Sequence, residues 1–197
     1  LWEALERLES RKSGDSRTSG KVVLAVPSKP NHGCTTVVLN LAAQLKRVRT
    51  GKILVADLDE DFGSVSFLFK LKGPYSYLDA FRDCQRMDEE LWKRLPVSYD
   101  GVDVLLAPDV PSRSNEVFEE DAVATISYLR RLYSLILLDV PNLSVPWRVE
   151  LARTADQILL ITTSELAAIH ATRKTLVRLE AAGCPREKIR LVVNRYV

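Results

Sequence analysis

The sequence predicts an α/β fold: a doubly wound, mostly parallel sheet with helices on both faces. Two observations predict it. From Lys21 onward, short runs rich in Val, Ile and Leu alternate with segments of helical periodicity, the alternation that builds a sheet from strand-helix-strand crossovers. The runs are also apolar at nearly every position, as strands covered on both faces must be. A chain of 197 residues, 46% hydrophobic, is long enough for one domain with a sizeable core.

The elements follow in order. KVVLAV (Lys21 to Val26), KILVAD (Lys52 to Asp57), VDVLLA (Val102 to Ala107), LILLDV (Leu135 to Val140), QILLIT (Gln157 to Thr162) and IRLVV (Ile189 to Val193) are the expected strands, each of ordinary length. Between them, Thr35 to Val48 places Val38, Leu41, Ala42 and Leu45 on one helical stripe, and Phe118 to Leu132 and Glu165 to Ala182 repeat the pattern. The last of these helices opens after Thr163 and Ser164, either of which can cap it. It closes at Ala182-Gly183-Cys184-Pro185, a glycine stop backed by proline. The stretch from Phe67 to Tyr99 is less regular and reads as two short helices, around Tyr77 to Arg82 and Asp88 to Leu95.

Leu1, Leu5 and Leu8 fall at helical spacing before the polar stretch RKSGDSRTSG. Residues 1–20 therefore read either as a helix end and linker from an upstream domain or as a terminus of no consequence, and residues 21–197 as a domain truncated at its C-terminus. Lys and Arg total 28 against 26 Asp and Glu, a net +2, so no global field favours nucleic acid or an anionic membrane. Lys46, Arg47, Arg49 and Lys52 read as a solvated helix end. Cys34, Cys84 and Cys184 are odd in number and lack CxxC spacing, which argues against a disulfide framework or zinc site and fits a reducing cytoplasm. No apolar run approaches the roughly 20 residues that span a bilayer.

The segment AVPSKPNHGCTTVVLNLAAQL places a loop between the first strand and the first helix, where phosphate-binding loops sit in doubly wound folds. Such a loop needs glycine for close backbone approach, a lysine reaching the terminal phosphates, and a Ser or Thr for magnesium. Gly33 and Thr35 are in register, but Cys34 stands where that lysine belongs. An ordinary turn capped by Thr35 would use the same residues. Two more strands end in carboxylates: DLDEDFGSVSFLFKL carries Asp57 and Asp59, and LILLDVP carries Asp139. Alternation along a strand turns Asp57 and Asp59 to one side, where they suit magnesium or an attacking water; acidic residues also commonly end buried strands. LVVNRY closes with Asn194 and Arg195.

SKPNHGCTTVVLNLAAQL resembles the deviant phosphate loop of the MinD/ParA ATPases, with Lys29 on that family's signature lysine. The resemblance implies ATP and Mg2+ as ligands. It puts Lys29, Asn31, His32, Gly33, Cys34, Thr35 and Thr36 around the phosphates, and Thr35, Asp57 and Asp139 at the metal. It makes Asp59 and Lys29 the catalytic groups and gives Asn194 the adenine. It also implies a homodimer in which Lys29 reaches the partner's nucleotide. DLDEDFGSVSFLFKL, YSYLDAFRD, VDVLLAP and LILLDVPNLSVPWRVELARTADQILLITTSELAAIHATRKTLVRL further resemble the CpaE/TadZ branch. That branch implies a factor for assembly of Flp-type (tight-adherence) pili, partnered with the pilus secretion machinery, located in the cytoplasm or at a cell pole, with a receiver-like domain upstream and slow or absent hydrolysis.

The departures are physical. Pro30 and Asn31 replace glycines, and proline removes one backbone donor. His32 is expected to face solvent, and Cys34 to be a small residue filling the lost lysine's space rather than a reactive thiol. Two other functions fit the same residues: a ParA-like ATPase moving cargo over DNA, and a nucleotide-free scaffold. A membrane anchor would lie beyond Val197, so membrane association is not readable here.

Overall fold

A computed structural model describes residues 19–48, 51–109 and 117–195. Its seven-stranded sheet runs β3-β4-β2-β5-β1-β6-β7. The strands are β1 (Lys21–Pro27), β2 (Ile53–Asp57), β3 (Val97–Tyr99), β4 (Val102–Leu105), β5 (Leu135–Asp139), β6 (Gln157–Thr162) and β7 (Ile189–Val193). All six expected strands are present and pair in parallel. Every residue of β2, β5 and β6 is buried, as their continuous apolar runs require.

The seventh strand, β3, was not expected. It pairs antiparallel with β4 through Tyr99 and Val102. Asp100 and Gly101, with φ of 48° and 74°, form the two-residue turn with both φ positive that matches strand twist in a hairpin.

Helix α1 (Cys34–Val48) covers one sheet face, its Val38, Leu41, Ala42 and Leu45 packed on Val23, Ala25, Ile53 and Val55. The short α2 (Val65–Phe69), also unexpected, buries Val65 on that side. The other face carries α3 (Tyr77–Arg82), α4 (Glu89–Trp92), α5 (Glu119–Leu129), α6 (Pro146–Thr154) and α7 (Leu166–Ala181). The expected capping of α7 by Thr163 or Ser164 is not seen: Thr163 is buried just after β6, and Glu165 is the N-cap without a side-chain bond.

The expected stop of α7 is present. Gly183 takes φ 83°, its N–H bonds the Glu180 carbonyl at 2.9 Å, and the Cys184 N–H bonds that of Leu179 at 2.9 Å, the paired pattern of a glycine C-cap. Of the expected upstream helix and linker, residues 1–18 lie outside the described residues. Gly20 is packed into the domain: its N–H bonds the Arg130 carbonyl at 2.7 Å, and a Cβ there would lie 1.8 Å from the Tyr133 carbonyl oxygen. No helix among the described residues is long and apolar enough to cross a membrane.

Gly183→Ala places a Cβ in a left-handed conformation and is expected to lower stability by about 1–2 kcal/mol, read as an earlier urea midpoint with unchanged slope.

Candidate functional site

The site lies at the carboxyl end of the sheet, where β1, flanked by β5 and β6, releases the loop Ser28 to Gly33 into α1. Asn31 and Gly33 both take positive φ, 64° and 79°, which folds the chain tightly before the helix. Asn194 donates from Nδ2 to the His32 carbonyl at 2.9 Å, and a Cβ on Gly33 would lie 2.4 Å from that nitrogen. Glycine is therefore required there twice over, by conformation and by space.

His32 is buried beneath the loop rather than solvent-facing, which corrects the expectation from sequence. Its Nδ1 shares a hydrogen bond with the Ser28 hydroxyl at 3.0 Å, and Ser28 Oγ lies 3.1 Å from Thr162 Oγ1. Thr172 of α7 donates to the same Thr162 oxygen at 2.8 Å. Burial first, then the Lys29 charge, hold the imidazole below its ordinary pKa, so it is neutral and free to bond Ser28. A polar ring is accommodated where an apolar one was the simpler choice because these hydroxyls satisfy it.

Asp57 and Asp139 are the last residues of adjacent parallel strands and sit opposite one another in register. Only 1% and 4% of their surfaces are exposed. Asp57 Oδ2 accepts the Val65 N–H at 3.1 Å, and its Oδ1 accepts the Asp59 N–H at 3.3 Å. At the start of α1 the Thr35 hydroxyl and the Cys34 thiol lie beside the Asp139 carboxylate and favour its charged form. Burial and then the Asp139 charge push Asp57 up to about 7, and burial raises Asp139 as well. The Cys34 thiol is pushed well up by burial and by Asp139. It is a neutral donor and not a reactive thiolate, in keeping with a residue that fills the lost lysine's space.

Asp59 is half-buried and folds back on its own loop, accepting the Asp61 and Phe62 N–H groups at 3.1 and 3.0 Å. Beside it Glu60 is buried and ion-paired with Arg148 of α6, and accepts the Tyr77 hydroxyl at 3.3 Å.

No family model matches the chain. MinD of Synechocystis sp., a septum site-determining protein, is 27% identical over 183 residues, 89% of this chain and 64% of that protein. The chain thus spans just under two thirds of that curated relative's length. Among solved structures, a ParA family ATPase from Chlorobium tepidum superposes with a TM-score of 0.82 at 18% identity, over 89% of this chain and 74% of that one. MinD of Pyrococcus horikoshii, solved with Mg-ADP, gives 0.72 at 21% over 90% and 71%. The fold is that of the MinD and ParA ATPases.

Within this MinD/ParA-type fold the residues expected from sequence fall into two groups. Cys34, Thr35, Asp57 and Asp139 converge on one spot, with His32, Gly33 and Asn194 stitched together in the loop beside it. Lys29, Asn31 and Thr36 are exposed on its outer side. Lys46 and Arg47 lie in the last turn of α1, at the opposite end of the helix from the loop. Sequence reading missed Ser28, Glu60, Arg148, Thr162 and Thr172. Glu60 and Arg148 had a visible signal, a charged residue inside a motif otherwise spoken for and an arginine directly after a tryptophan. The hydroxyl chain had none.

The folded pKa of Asp57 is above the roughly 3.9 of an unfolded aspartate. Its contribution is then fully present below about pH 4 and is lost as pH rises through about 7. In EDTA the protein is expected to lose stability on the order of 2–4 kcal/mol across that window. Urea melts from pH 4.5 to 8 check this.

Proposed function

We propose that this chain is a nucleotide-binding assembly factor: it takes ATP with Mg2+ at the loop 28–36, hydrolyses it slowly or not at all, and works by docking to partners. The observation that carries the reading is the Asp57–Asp139 pair beside a phosphate-type loop. Two buried carboxylates in register, with the Thr35 hydroxyl at the same point, make a hard-oxygen set that calls for positive charge and suits Mg2+. The first-turn N–H groups of the 15-residue α1 suit a phosphate. Bound Mg2+ would draw charge from the terminal phosphates.

The remaining parts are supplied by the chain itself. Cys34 keeps the Asp139 side chain oriented but offers no cation, and the charge that a lysine would contribute during phosphoryl transfer is worth orders of magnitude in rate. Lys29, exposed on the outer side of the loop, would meet phosphate from outside it, as in a homodimer through this face. Asp59, held by its own turn, lies next to the acidic pair and is the candidate for orienting water. Asn194 commits one amide N–H to the His32 carbonyl, leaving the second N–H and Oδ1 to meet a base.

The finer reading rests on resemblance to the CpaE/TadZ branch: a pilus-assembly or polar localisation factor, partnered with the pilus secretion machinery, preceded by a receiver-like domain. The loss of the loop lysine supports an assembly role over cargo transport by hydrolysis. A nucleotide-free scaffold is the second reading. Pro30, which removes a backbone donor from the loop, and Cys34, which leaves it without a cation, favour it.

Calorimetric titration with ATP and Mg2+ separates the two. Saturable binding weakened about tenfold by Lys29→Ala is expected, and a flat titration leaves the scaffold. Turnover is expected near background; brisk hydrolysis abolished by Asp59→Ala overturns the assembly reading.

A further inference from the structure

Arg148 is 1% exposed, and its partner Glu60 is 8% exposed. Burying such a pair costs several kcal/mol per ion before the mutual attraction repays it, and well-packed apolar side chains of similar volume often do as well or better. The pair's contribution is therefore sought in geometry. Its guanidinium makes a fork of contacts that no apolar side chain or lysine reproduces. Nη2 donates to Glu60 and, at 3.1 Å, to the Leu58 carbonyl. Nη1 donates to Asn142 Oδ1 at 3.2 Å, and the group lies 4.9 Å over the Trp147 ring.

Those acceptors belong to the two acidic loops. Leu58 is the residue between Asp57 and Asp59, and its own N–H bonds the Asp139 carbonyl at 2.9 Å. Asn142 is three residues beyond Asp139, in the loop that leads to α6. A single buried side chain thus grips the Leu58 carbonyl, while the Leu58 N–H is already tied to β5, and at the same time grips the loop leaving β5. Tyr77 of α3 fixes Glu60 from a third direction; burial, then the Glu60 charge, push its hydroxyl up, so it stays a neutral donor.

We propose that Arg148 is the positioning residue of the cation subsite: through Leu58, Glu60 and Asn142 it holds Asp57, Asp59 and Asp139 in one fixed arrangement for a hydrated divalent cation. This rests on the Mg2+-nucleotide reading above. Arg148 touches neither phosphate nor metal and acts only through the two loops.

The test compares ATP binding with Mg2+ and with EDTA for the full chain, Glu60→Leu/Arg148→Met and Arg148→Lys, each checked by urea unfolding. The expected result is that the apolar double variant unfolds cooperatively near the wild-type midpoint and binds ATP in EDTA within about twofold of wild type, while its Mg2+-dependent gain in affinity falls tenfold or more. Arg148→Lys is expected to lose part of that gain, and it carries the reading should the double variant fail to unfold cooperatively. Variants that keep the full Mg2+ gain, or lose ATP binding equally with and without Mg2+, overturn the positioning role alone. A wild type that binds no ATP overturns the nucleotide reading and this role together.

Discussion

The pairing of β2 with β5 sets Asp57 directly opposite Asp139 at the point where both strands stop, and the rest of the site answers to that register. Two carboxylates at adjacent strand ends, both nearly inaccessible, cannot both be charged in a dry setting without a compensating proton or cation. Burial pushes both upward, Asp57 to about 7. The donors arranged around them, from Val65, Asp59, Thr35 and Cys34, offset part of that cost. They also commit the first turns of α1 and α2 to this one spot. A lysine at position 34 would add a full positive charge to the set, whereas the neutral thiol adds only a dipole. The residue at position 34 thus bears on the electrostatics of the acidic pair as well as on the loop.

The loop itself is held from the other side of β1. Ser28, His32 and Gly33 are tied to Thr162 at the end of β6 and to Asn194 after β7, and Ser28 N–H bonds the Ile161 carbonyl at 2.8 Å. Its shape follows from contacts within the chain, so little conformational entropy is left for a ligand to remove. Such preorganisation suits a site that holds a ligand as a structural element. It equally explains how Pro30 is tolerated, since the turn no longer depends on the donor that proline lacks.

What could be read from sequence was what local pattern carries. The six parallel strands were legible because burial on both faces leaves an unbroken apolar run, and the strand-ending aspartates because each follows such a run. The Gly183 stop was legible from Gly and Pro alone. Strand β3 was missed although Asp100-Gly101 between Tyr99 and Val102 is a hairpin signal; three residues are too few to show a period. The short α2 had no stripe to display. Burial of His32 was misjudged because the Ser28 hydroxyl that meets its ring, though only four residues away, is itself held by hydroxyls on β6 and α7, more than a hundred residues off. The Glu60–Arg148 pair spans 88 positions, and nothing in either neighbourhood names the other. Partnership at that range is a product of topology.

Topology also decides what the acidic pair controls. Helix α2 hangs from Asp57: the Val65 N–H that opens it bonds Asp57 Oδ2, and Gly63 packs so closely that a Cβ would lie 3.2 Å from the same oxygen. Phe62, Phe67 and Leu68, all exposed, are carried on this segment. A hydrogen bond to a charged carboxylate is roughly twice as strong as one to a neutral acceptor, so the hold on α2 depends on whether Asp57 carries its proton. Arg148 fixes the peptide just after Asp57 while leaving this bond untouched. The segment that displays the apolar side chains is therefore anchored at a carboxylate that burial pushes up to about 7, and Arg148 holds the chain beside that anchor from the other side.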